Sequence, residues 1–89
     1  MLRFSYYRSD VGEEWNLCGP LDGPWVDELR SVWQRIREHV PRVHTVVNLK
    51  EVTFIDEAGE QLLAQMQSAG ADLVAKGVEQ KHEYLGGGR

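Results

Sequence analysis

Near the middle of the chain, Val43, Thr45, Val46, Val47 and Leu49 form a β-branched run that is too short for a helix and too continuously apolar for an edge strand. It lies between two stretches of helical periodicity. In the first, Trp25, Leu29, Val32, Trp33, Ile36 and Val40 recur at three- and four-residue spacing. Asp27, Glu28, Arg30, Gln34, Arg35, Arg37 and Glu38 fill the opposite face, and Pro41 ends the pattern. In the second, Ala58, Leu62, Met66 and Ala69 share a stripe flanked by Leu63. Asp56 stands as its N-cap and Gly70 as its left-handed stop. Residues 71–75 read as a further short strand. Strand, helix, strand in this order is a right-handed crossover between parallel neighbours, with the run at 43–49 expected at the centre of a sheet and covered on both faces.

Upstream, Leu2, Phe4 and Tyr6 alternate with Arg3, Ser5 and Tyr7, the period of a half-buried strand. A turn at 9–12 leads to a second short strand at 15–18, making an antiparallel pair. Residues 19–24, Gly-Pro-Leu-Asp-Gly-Pro, break the chain, with Asp22 and Pro24 placed to open the first helix. Lys50 and Glu51 read as a turn, after which Val52, Phe54 and Ile55 lead into Asp56. Beyond Gly77, residues 78–85 are expected to form a short helix with Val78, His82 and Leu85 on one side, and residues 86–89 a flexible Gly-rich tail. The expectation is one α/β domain over residues 1–85.

A chain of 89 residues buries only about 60–65% of its unfolded surface. Its formal net charge is −4, and its Lys and Arg residues are scattered from Arg3 to Arg89. That distribution argues against nucleic-acid binding by counterion release. The longest apolar runs fall far short of the ~20 residues of a membrane span, and the first residues have no apolar segment of the signal-peptide kind. With a single cysteine, Cys18, no internal disulfide forms. A cytoplasmic location is therefore expected. Neither GxxxxGK nor GxGxxG occurs. Cys18 has no CxxC partner, and His39, His44 and His82 do not supply the three or four convergent ligands of a zinc site. The sequence thus points away from an enzyme and from any cofactor or metal.

Two segments resemble the signature of the STAS family, roughly L-x-G-x-L-D followed by D-L-S-x-V-x-F-I-D-S-S-G. They are L-C-G-P-L-D at 17–22 and V-V-N-L-K-E-V-T-F-I-D-E-A-G at 46–59. The resemblance runs from about residue 14 to 77. It implies a mixed β-sheet with helices packed mainly on one face, and a non-catalytic module of the anti-sigma-factor antagonist type that binds a protein partner, commonly an anti-sigma-factor kinase. The alternative it implies is an accessory cytoplasmic subunit docked on the ATPase of a lipid or solute transporter. Ala58 stands where phosphorylated members carry Ser or Thr, Glu57 replaces the preceding Ser, and Asn48 replaces the aspartate of D-L-S. An anion at a helix start gains about 0.3–1 kcal/mol, and here Asp56, Glu57 and Glu60 already supply that charge. The expected docking surface comprises residues 19–25 and 54–61, with Asp22, Trp25, Asp56, Glu57, Ala58, Gly59 and Gln61 as partner-binding residues. Ala58 and Gly59 are small enough for the helix start to pack on the sheet, while Trp33 is expected in the core. A chain this short, with apolar surface left uncovered, also suggests a homodimer.

Overall fold

A computed structural model describes residues 1–40 and 42–75, so the readings for 78–85 and 86–89 lie outside the described residues. The elements follow in the order β1 (Arg3–Ser9), β2 (Gly12–Leu21), α1 (Pro24–His39), β3 (Thr45–Ile55), α2 (Glu57–Ser68) and β4 (Asp72–Val74). They build a four-stranded mixed sheet in the order β1-β2-β3-β4. The first pair is antiparallel, closed by the turn that the alternation predicted, and the other two pairs are parallel.

The core lies on one face of that sheet. Directly paired residues share a face, so Phe4 and Tyr6 line up with Leu17 and Trp15, and Trp15 with Val47 and Leu73 along the next two strands. Val26, Leu29 and Trp33 of α1, and Leu62, Leu63 and Met66 of α2, cover this row. On the opposite face Ser5, Asn16, Asn48 and Val74 form a row that is half-buried or exposed. β3 is therefore covered on one face, not two: Val47 and Leu49 are buried, while the alternating Val46 and Asn48 keep partial contact with solvent.

Two boundaries that differ from the sequence reading have a pairing reason. β2 runs through Gly19 and Pro20 to Leu21 because its second half pairs in parallel with the end of β3. Between Asn16 and Cys18, and again between Gly19 and Pro20, the register shifts so that β3 holds the extra residue. At the first shift Leu49 and Lys50 stand opposite Leu17 as a bulge and Glu51 pairs with Cys18, so Lys50 and Glu51 continue the strand and do not turn. Asn48 Oδ1 accepts the Lys50 N–H at 2.9 Å, replacing the ladder bond lost there. In α1 the buried stripe is Val26, Leu29, Trp33, with Trp25, Val32 and Ile36 on its flanks. In α2 it is Gly59, Leu62, Leu63, Met66, which leaves Ala58 exposed. Gly70, at φ 109°, ends α2 as expected.

At the end of the sheet where β2 and β3 begin, the Glu13 side chain is only 8% exposed and holds three strands together. It accepts from the Tyr6 hydroxyl at 2.6 Å, from Arg8 at 3.2 Å and from the Thr45 hydroxyl at 2.8 Å. Burial first, and then this carboxylate, raise the Tyr6 pKa above its ordinary value.

Candidate functional site

At the other end of the sheet, β2 and β3 finish side by side, with Pro20 opposite Phe54 and Leu21 opposite Ile55. Each strand then turns into a helix, so two helix N-termini emerge together. The residue that ties them is Asp56. Its N–H donates to Leu21 O at 3.2 Å. One carboxylate oxygen accepts the Gly59 N–H at 2.8 Å and caps α2, while the other accepts the Gly23 N–H at 3.1 Å from the loop before α1. Asp56 was legible as a cap of its own helix, but its reach across to Gly23 was not.

The α1 side has no side-chain cap. Gly23, at φ 56° and ψ −137°, is the N-cap, in a region that residues with a Cβ rarely enter. The chain turns there tightly enough for Asp22 O to accept the Trp25 N–H at 3.2 Å. Pro24 occupies the first turn, where its missing N–H costs no helix bond.

Around this double helix start the carboxylates of Asp22, Asp27, Glu28, Asp56, Glu57 and Glu60 gather, and residues 18–29 and 51–61 contain neither Lys nor Arg. Arg30, one turn into α1, pairs with Asp27 at 3.1 Å. Of the sequence-predicted residues, Glu57, Ala58 and Gln61 are exposed, Asp22, Trp25 and Asp56 are half-buried, and Gly59 is buried. Gly59 is thus set behind the surface and supports it. Trp25 packs partly on the core at the edge of the site, whereas Trp33 is buried. Phe54 is 56% exposed and adds an apolar element beside the acidic one.

The backbone N–H groups of Gly59 and then of Gly23 hold the Asp56 carboxyl below the usual carboxylate range. Because its folded pKa is depressed, its stabilising contribution is complete above the unfolded value of about 3.9. That contribution is lost as pH falls through the folded value. Asp56→Asn is therefore expected to be less stable than the wild type at pH 7, with the gap closing as the solution is taken well below pH 4. Urea denaturation at a series of pH values measures this, and a gap independent of pH would show that the charge is irrelevant.

The remaining chemistry-bearing residues stand apart from this site. His39 Nδ1 lies 2.8 Å from Arg35 O at the end of α1, and His44 lies 3.2 Å from the Asp72 carboxylate. Cys18 is half-buried on the open sheet face, and His82 is outside the described residues. Among the described residues no helix is long and apolar enough to cross a membrane.

A small mixed sheet with both helices on one face, and the two helix starts gathered where β2 and β3 end, defines the STAS fold. The solved structure of the anti-sigma factor antagonist SpoIIAA in its unphosphorylated form matches this chain with a TM-score of 0.70 and 18% identity, over 97% of this chain and 84% of SpoIIAA. A second solved structure, that of Mglu, matches with a TM-score of 0.62 and 20% identity over 85% of this chain, which corresponds to 20% of Mglu. No family model matches the sequence, and neither does any curated protein sequence.

Proposed function

We propose that the chain is a non-catalytic regulatory module of the anti-sigma-factor antagonist type. It docks a protein partner in the cytoplasm through the double helix start. The observation that carries this reading is the tie made by Asp56, which fixes two helix N-termini relative to one another and presents an exposed acidic rim around Trp25 and Phe54. Binding at such a rim gains steering and specificity from charge, and the partner's matching surface is basic. The exposed first turn of α2 offers Glu57 and Ala58, neither of which has a hydroxyl to phosphorylate. The surface therefore stays in one charge state and docks without a phosphate switch at this point. A partner held constitutively in this way is an anti-sigma-factor kinase or, in the second reading, a transporter ATPase.

The test is affinity capture from native cytoplasm with mass spectrometry, comparing the wild type with Glu57→Arg. Recovery of a kinase-type anti-sigma factor by the wild type, reduced on the order of tenfold by the charge reversal, is the expected result. An ATPase subunit in its place selects the second reading. Partner recovery that is indifferent to the substitution removes the helix start from the interface.

A further inference from the structure

The two helices that begin at the docking surface end together at the far end of the sheet. Between their last turns and the starts of β2 and β3 lies a pocket of about 210 Å³. Trp33, Ile36, Val40 and Met66 give it apolar walls. Three charged side chains also line it: the buried Glu13 on the inside, and the exposed Arg37 and Arg42 at the mouth.

Neither of these arginines has a carboxylate partner among the described residues, where the ion pairs join Arg8 to Glu13, Arg30 to Asp27 and His44 to Asp72. Arg37 stands over the Trp33 ring, 4.8 Å from its centroid. Arg42 donates to Ala69 O, at the end of α2, at 3.0 Å. Each contact steadies a guanidinium while leaving most of its five N–H donors for another acceptor. Two such groups on one pocket, in a chain of net charge −4, make a receptor for an anion, and their planar donor pairs suit a carboxylate.

Glu13 sets what the other end of that anion must carry. A carboxylate accepts about four hydrogen bonds. Tyr6 and Arg8 donate to Oε1 and Thr45 to Oε2, so Oε2 has room for one more donor. An acid ending in hydrocarbon would strip that oxygen of water without replacing the bond, whereas a hydroxyl would donate to it. The space between the two ends equals about seven water molecules at ~30 Å³ each, which in covalently bonded form is on the order of ten non-hydrogen atoms. An aromatic ring fits that size and suits walls made of an indole and a thioether.

We propose that this pocket binds a small aromatic carboxylate bearing a hydroxyl, with the carboxylate on Arg37 and Arg42, the ring against Trp33 and Met66, and the hydroxyl donating to Glu13. The site lies at the end of the sheet away from Asp56, and it stands independently of the docking reading.

The test titrates the isotope-labelled chain with para-hydroxyphenylacetate and follows the amide signals by NMR. The expected result is saturable binding with a Kd of about 1 mM or below, with the largest shifts at residues 36–40, 42–46 and 66–71 and the smallest at 53–60. Phenylacetate, which lacks the hydroxyl, and para-hydroxyphenylethanol, which lacks the carboxylate, are each expected to bind the same wild-type chain about fivefold more weakly. That comparison needs no variant to fold. Arg37→Ala combined with Arg42→Ala is expected to weaken binding about tenfold or more. The proposal is overturned by the absence of saturable shifts at millimolar para-hydroxyphenylacetate, by shifts centred outside the pocket, by an affinity for either analogue equal to that for the parent acid, or by unchanged affinity in the double variant.

Discussion

Trp15→Ala is expected to lose about 3–5 kcal/mol, a large part of the roughly 5–15 kcal/mol that holds a domain folded. Trp15 is fully buried in the middle of β2, paired with Tyr6 on one side and Val47 on the other. Its ring lies 4.7 Å from that of Tyr6 and 6.2 Å from that of Phe4. Truncation empties the place where the antiparallel and the parallel halves of the sheet meet beneath α1 and α2. The indole also carries a cost, since its Nε1–H is buried without a hydrogen-bond partner, a situation worth about 1–3 kcal/mol against folding. Trp15→Phe keeps an aromatic ring in the site and removes the orphan donor, so its net loss is expected below about 1.5 kcal/mol. Urea titration of both variants measures the contrast. Equal losses would mean that the indole N–H finds an acceptor in solution.

Gly59→Ala is the second large effect, and its sign is the informative part. On an exposed helical position the change gains about 1 kcal/mol. Here a Cβ on Gly59 would lie 2.6 Å from Leu21 O, 3.0 Å from Ile55 Cγ2 and 3.2 Å from Leu21 Cγ. The nearest of these is a backbone carbonyl locked in the sheet, and it is the same oxygen that accepts the Asp56 N–H. Relieving the clash means moving α2 away from β2, which disturbs both bonds of the Asp56 tie. The expected loss is about 3 kcal/mol, the upper end for overpacking, read as a lowered thermal midpoint. A midpoint at or above that of the wild type would show that the α2 start is not seated against β2.

The helices, their stops and the first strand pair were legible from local patterns, because periodicity and capping act over a few residues. Non-local pairing was hidden. Gly19 and Pro20 look like a break, yet they continue β2 because the bulged register admits a residue without an N–H. Lys50 and Glu51 look like a turn because two consecutive polar residues interrupt a strand in the same way whether the chain reverses or bulges. The one-residue rotation of the α1 stripe from Trp25 to Val26 reflects which of two adjacent apolar residues the sheet reaches. At the candidate site, the identity of the loops was visible through the STAS resemblance. The exposure of Ala58 and the burial of Gly59 depend on how α2 sits against Leu21, which no local rule reports.

The parallel pairing of β2 with β3 also governs how the molecule comes into being. Every residue of β2 that pairs with β3 is separated from its partner by the whole of α1, so the middle of the sheet cannot close as a local hairpin does. During synthesis the β1–β2 hairpin and α1 emerge first, with Trp15 and Leu17 still waiting for Val47 and Leu49. Closure carries the entropy of a long loop, which slows folding relative to a helical chain of this length. The nascent chain exposes an apolar half-sheet until residue 55 is free of the ribosome, and that interval is when it is most prone to aggregate or to need a chaperone.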